Sequence, residues 1–232
     1  MILIPHKALF VKQSYPSMLI IIASANFVMC SVRQVWYHSL REHTACLLAC
    51  DHKGPRNTHV DNILDHVSVV IYNTTRKVLV FVKQFRPAVY FASIPECDRE
   101  MKIDTSKYPP ETGITLELCA GIVDKDLPLE KVAKIEVLEE CGYDVPVSNL
   151  ERIISYRSGI GVCGDNQTIF YAEVTDNMKI GTGGGNAEEG EFIEVVEMTV
   201  PEAKKYMDKG TVLSPGGLIF ALLWFFQNKC AF

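Results

Sequence analysis

At 232 residues and 48% apolar content, the chain can bury a full-sized core and fits one substantial domain with a smaller appendage. A net charge of −5 with no long basic run argues against nucleic-acid binding, which draws its affinity from phosphate neutralisation. The eight cysteines contain no CxxC pair, and in a chain this long they form no dense disulfide framework; thiols inside LELCAG and LEECGY read as buried and free, in a reducing cytoplasm.

Residues 1–62 are the least regular part and are read as an N-terminal extension with a small β-rich domain. Within it, Ser17 to Val32 (SMLIIIASANFVMCSV) is apolar, with Lys7 and Lys12 upstream. It falls short of the ~20 residues that span a bilayer and contains Ser and Asn, so a buried element is expected and no stable membrane partner. A signal or anchor segment and a start at Met18 remain the alternatives. The Trp36-Tyr37 pair is assigned to packing, with stacking on a base as the alternative, and DHKGPRNTH to a turn between strands. His43, His52, His59 and His66 lack metal-ligand spacing.

From His66 the pattern sharpens. VSVVIYN and KVLVFVKQF are β-branched runs joined by a hairpin turn at NTTR. Residues 94–113, with three prolines and many charges, form a long loop. ITLELCAG is a strand running into Gly121. A helix follows, with Pro128 in its first turn and Gly142 at its end. ERIISYR, QTIFYAEV and EFIEVVEMTV are strands, PEAKKYMDKG is a short helix stopped by Gly210, and GGLIFALLWFF is an apolar helix. Strands interleaved with helices predict an α/β (α+β) sandwich with a mixed sheet between helices.

The helix after Gly121 carries Glu136, Glu139 and Glu140 within an arc of roughly 100°. Ile135, Leu138 and Cys141 are expected on the opposite side, with Val137 flanking. An ordinary solvated face interleaves acids with bases, as Glu130 does with Lys134 four residues on; the triplet has no such neighbour. Like charges at these spacings cost about 0.2–0.5 kcal/mol each on an isolated helix. A divalent cation reverses that sign, and hard oxygen ligands favour Mg²⁺, with Mn²⁺ as a substitute.

Gly121, Glu136, Glu139, Glu140 and Gly142, with Val137 and Tyr143 at apolar positions, resemble the Nudix box, G-x5-E-x7-R-E-U-x-E-E-x-G-U. Two positions depart: Leu127 replaces the first glutamate and Ile135 the arginine that, in the family, orients the first metal-binding glutamate. The resemblance extends over about residues 64–228, through VKQFRPAVY, LELCAGIVD, YRSGIGVCGDNQTIFYAEV, EEGEFIEVVEM and GLIFALLWFF. These blocks look like the nucleoside-diphosphate-sugar branch of the Nudix hydrolases.

That resemblance implies a Nudix fold, an α/β/α sandwich over residues 63–232, and an N-terminal domain that exchanges contacts in a homodimer. It implies Mg²⁺-dependent cleavage of the diphosphate of a nucleotide-sugar substrate, UDP-glucose giving UMP and glucose 1-phosphate, with ADP-ribose as the competing substrate. A ligand- or protein-binding module that has lost turnover is the alternative of another class. The implied metal ligands are Glu136, Glu140, Glu191 and the backbone carbonyl of Ala120. The implied catalytic acids are Glu139, Glu189 and Glu191, with the division of labour between the last two open. They lie in GTGGGNAEEGEFIEVV, whose glycines predict a mobile loop that closes over substrate; a solvated acidic loop explains at least one of Glu188, Glu189 and Glu191. Arg86, in KQFRPA, is either a surface arginine at a strand end or the residue that grips the diphosphate, and the resemblance favours the second. No GK[ST] follows GTGGG, which excludes a P-loop.

Overall fold

The computed structural model describes residues 8–11, 20–23, 65–99, 103–160, 164–186 and 191–230. Near the N-terminus, β1 (Ala8–Val11) and β2 (Ile20–Ala23) pair antiparallel, in the register Ala8↔Ala23 to Val11↔Ile20. β2 falls inside the apolar Ser17–Val32 run. Trp36, Tyr37, His43, His52, His59 and the DHKGPRNTH turn lie outside the described residues. No helix among the described residues is long and apolar enough to cross a membrane.

β3 (His66–Asn73) and β4 (Val78–Phe85) form the expected hairpin, and α1 (Pro87–Ser93) follows at once. That helix was not legible in the sequence; Pro87 opens it as the first helical residue, where a missing N–H is harmless. The described residues of the expected 94–113 loop hold two short 3-10 turns, Glu96–Asp98 and Pro110–Gly113, and Ile94 and Ile103 are buried with Tyr90 in a small core of their own. β5 (Ile114–Glu117) and β6 (Cys119–Ile122) come from what reads as one strand. α2 (Leu129–Cys141), β7 (Leu150–Arg157), β8 (Asn166–Val174), β9 (Ile193–Thr199), α3 (Val200–Met207) and α4 (Gly216–Asn228) complete the chain.

The seven-stranded sheet is mixed. β8 lies parallel to β3 along its whole length, and β7 is antiparallel to β8. β9 lies antiparallel to β4. β3 and β4 pair only from Ile71↔Val80 to Asn73↔Val78 and then part. The 114–122 strand fills the split: its first half bonds β4, from Phe85↔Ile114 to Val82↔Glu117, and its second half bonds β3, from Val69↔Cys119 to His66↔Ile122. Leu118 is the crossing point. This transfer sets the end of β4, residues 117–121 and the facing helix close together.

Strand alternation divides the core in two. Val67, Val69, Ile71, Val80 and Val82 point to α2, while Val70, Leu79, Phe81, Ile169 and Tyr171 point to α3 and α4. The result is an α/β/α sandwich, as the sequence predicts. Cys119 and Cys141 are fully buried free thiols, also as expected.

At the hairpin turn, the wholly buried Asn73 donates to Asp176 Oδ1 at 2.7 Å and to the Tyr143 hydroxyl at 3.2 Å. Its oxygen accepts from the Thr75 and Arg76 amides, both at 3.0 Å. Arg76 adds bonds to Asp176, Tyr143 and Glu197, tying the turn to β9 and to the residues after α2. Asn73→Ala removes one side chain from four bonds and is expected to cost about 2–3 kcal/mol in urea unfolding, since all four are lost at once. A loss below about 0.5 kcal/mol, the range of an inert surface change, would remove that role.

Candidate active site

α2 begins after Pro128 and ends at Gly142, whose φ of 77° is the left-handed cap that glycine adopts without a Cβ penalty. Its buried stripe is Val132, Ala133, Val137 and Cys141. At about 100° per residue these span roughly half the circumference, and Glu136 and Glu140 fall inside that arc while Glu139 falls outside it. Glu140 is accordingly 3% exposed and Glu139 exposed. Of the three apolar residues expected opposite the acids, Cys141 is buried while Ile135 and Leu138 are only half-buried, and the core stripe encloses two of the acids. Lys134, expected beside Glu130, instead pairs with Asp144 at 2.8 Å.

Glu140 reaches back to β6, where the Ala120 N–H donates to its Oε2 at 2.9 Å. Burial pushes its carboxyl up to about 8; the Ala120 amide and the Cys119 thiol pull it down, and Glu136 and Glu191 push it up. The Glu136 carboxylate lies directly on Gly121, where any Cβ would overlap it. Burial first, then Glu139 and Glu191, push Glu136 up to about 7, with Lys125 opposing. Ile135 replaces the arginine that the family pattern uses to orient this glutamate; here Gly121 leaves the space in which Glu136 sits.

Arg86 closes the other side. It is the last residue before α1, and its Nε and Nη2 donate to Glu117 Oε1 at 2.7 Å and Oε2 at 2.6 Å. Thr115 Oγ1 donates to the same Glu117 Oε1 at 2.5 Å. Burial alone would lower the Arg86 pKa; the Glu117 bonds outweigh it, and the charges of Glu140 and Glu191 add to the rise. Arg86, Glu136, Glu140 and Glu191 therefore share one electrostatic neighbourhood.

Residues 180–186, the described first part of the glycine-rich segment, dock by their backbone on the end of α2. The Gly184 and Gly185 amides donate to the Glu140 and Glu139 carbonyls at 2.9 and 3.2 Å, and those of Ile180 and Gly181 to Gly142 at 2.9 and 3.1 Å. The segment thus satisfies the orphan carbonyls at the end of α2. Gly183, at φ 70°, sits where a Cβ would overlap the Glu140 carbonyl. The Glu191 N–H donates to the Asn186 carbonyl at 3.1 Å. Glu188 and Glu189 lie outside the described residues.

Among the described residues no three His, Cys, Asp or Glu side chains converge into a ready metal cluster. The donor chemistry nonetheless suits a hard divalent cation. Glu136 and Glu140 are carboxylates held largely out of water and mutually repelling, and among the described residues neither has a lysine or arginine salt bridge. Ala120, Glu136, Glu140 and Glu191 are the residues that could hold it. Glu117 is the site residue missed in the sequence; its signal was a lone acid inside the apolar strand ITLELCAG.

No protein-family model matches the chain. Among curated proteins it is similar to the uridine diphosphate glucose pyrophosphatase of Bos taurus, 44% identical over 174 residues, covering 70% of this chain and 78% of that protein. The Mus musculus protein of the same name is 41% identical over 175 residues, covering 71% and 78%. A GDP-mannose pyrophosphatase of Salmonella arizonae is 31% identical over 145 residues, covering 62% and 65%.

Proposed function

The chain belongs to the Nudix hydrolases, enzymes that cleave diphosphate bonds, and from that membership we propose that it hydrolyses UDP-glucose to UMP and glucose 1-phosphate with Mg²⁺ as cofactor. The observation that carries the proposal is the buried pair Glu136 and Glu140, packed on Gly121 and Ala120 and within electrostatic reach of Arg86 and Glu191.

In this reading Glu136, Glu140, Glu191 and the Ala120 carbonyl hold the metal. Bound Mg²⁺ supplies an activated water and neutralises charge on the diphosphate oxygens. Arg86, fixed by Glu117, binds the diphosphate in bidentate fashion. Glu139, Glu189 and Glu191 are the acids available to accept the proton of the attacking water, and Glu139 is solvent-exposed on the same helix. The reading also includes a homodimer built through residues 1–62 and a cytoplasmic setting that keeps Cys119 and Cys141 reduced.

The test is product release from UDP-glucose, UDP-galactose, GDP-mannose and ADP-ribose, with and without Mg²⁺. Fastest cleavage of UDP-glucose, only with metal, is expected. Faster cleavage of ADP-ribose would overturn the substrate, metal-independent cleavage the cofactor, and no cleavage at all would leave a binding module.

Metal binding has its own readout in stability. The carboxyls of Glu136 and Glu140 sit above their ordinary value of 4.5, at about 7 and about 8. Their contribution to stability is therefore fully present below pH 4.5, where both are protonated folded or unfolded, and is lost as pH rises through about 7 and about 8. Mg²⁺ binds the ionised pair, so it should raise the Tm more at pH 8.5 than at pH 6. At ten times its Kd it should add about 1.4 kcal/mol. An equal shift at both pH values would count against these two ligands.

A further inference from the structure

We infer that Glu117 is a positioning residue for substrate binding: its carboxylate fixes the plane and direction of the Arg86 guanidinium, and this inference rests on the proposed role of Arg86 in holding the diphosphate. The geometry is specific. Both Glu117 oxygens are used by one guanidinium, through Nε and Nη2, at 2.7 and 2.6 Å. A fork of this kind sets orientation as well as charge, because two parallel bonds leave the planar group no rotation about either. Glu117 is itself immobilised. It is 7% exposed, it is the last residue of β5 opposite Val82, and Thr115 from the same strand donates to it at 2.5 Å.

Its place in the fold explains why a buried acid is kept there. Glu117 immediately precedes the crossing residue, Leu118, and Ala120 and Gly121 lie three and four residues further along the same backbone. The segment that supports the two helix acids therefore also orients the arginine facing them. Any movement of β5–β6 would shift both halves of the site together. A cation placed for a diphosphate must arrive pre-oriented, since displacement by about 1 Å costs up to 10²-fold in rate.

A competing physical role is available on the same contacts: Glu117 could act as a counter-charge that the diphosphate has to displace. The two roles have opposite signs in binding. If Glu117 positions Arg86, Glu117→Gln weakens substrate binding, because the amide offers one acceptor and turns its NH₂ towards the second guanidinium N–H. If it competes, the same change strengthens binding.

The experiment uses the full chain and reads KM and kcat for UDP-glucose, and Kd for UDP by calorimetry, in the wild type, Glu117→Gln, Arg86→Lys and the double variant. Glu117→Gln is expected to raise KM and the UDP Kd roughly tenfold or more with kcat changed less, and to add little on the Arg86→Lys background, where the fork no longer exists. Glu117→Asp, which keeps the charge, should recover part of the loss. Thr115→Val, which removes only the supporting hydroxyl, should give a smaller rise in KM and serves as the reporter if Glu117→Gln does not fold. An unchanged or lower Kd in Glu117→Gln, or full multiplication of the two single effects, overturns the inference. If UDP binding weakens as expected but the wild type does not hydrolyse UDP-glucose, the proposed function fails and the positioning role stands. A wild type that neither binds UDP nor turns over UDP-glucose overturns both.

Discussion

Glu140→Gln is expected to lower UDP-glucose turnover by roughly 10²–10³-fold while making the metal-free chain more stable at pH 8, by about 5 °C in Tm. The two effects have one cause. Glu140 is 3% exposed, it accepts from the Ala120 amide and the Cys119 thiol, and the charges of Glu136 and Glu191 repel its own. Ionising it in the folded chain is therefore uphill, which is what a carboxyl raised to about 8 expresses. Glutamine keeps an oxygen for the Ala120 amide and removes the charge, so the stability gain should grow with pH and vanish below the ordinary value of 4.5. Turnover needs that same charge for the cation, hence the opposite sign. Glu139→Gln is the control: exposed on the same helix, it should change metal-free stability by less than about 0.5 kcal/mol. A Glu140→Gln chain that keeps wild-type turnover would remove this residue from the metal site.

Those opposed signs also show what the sequence could and could not disclose. Glu136, Glu139 and Glu140 were legible because helical periodicity is local: three acids without basic neighbours stand out from spacing alone. Which of them turn inward was not, because it depends on where Val132 and Ala133, one turn earlier, meet the sheet. The β3–β4 hairpin, α2 with its Pro128 and Gly142 ends, and the later strands all followed from short-range signals. α1 did not, since PAVYFAS has neither an acidic first turn nor a capping side chain. Glu117 escaped for a different reason. Its partner Arg86 is 31 residues away, and only the register Val82↔Glu117 brings them together. The glycines of GTGGG suggest freedom, whereas Gly183 is required by close backbone docking onto the end of α2 and Gly184 by its φ of 118°. Distant pairing and backbone approach leave almost no trace in a local pattern.

The second large effect is expected from a residue with no side chain. Gly121→Ala should reduce kcat/KM for UDP-glucose about 10²-fold while the fold survives. Gly121 lies in ordinary strand conformation, opposite Val67, so alanine meets no backbone strain. What a methyl group meets is the far end of Glu136, whose carboxylate atoms are the three nearest neighbours of the would-be Cβ. A flexible side chain yields before a strand does, so the substitution acts by evicting one carboxylate towards water. Three consequences separate this from general damage. The Tm of the metal-free chain should stay level or rise, because Glu136 is released from burial and from Glu139 and Glu191. Its carboxyl should fall from about 7 towards its ordinary value, visible as a flatter dependence of stability on pH between 5 and 7. Finally, Gly121→Ala combined with Glu136→Gln should be no slower than Glu136→Gln alone, since both changes remove the same ligand. Independent, multiplying losses would mean that Gly121 serves the β3–β6 pairing and that Glu136 owes its position to something else.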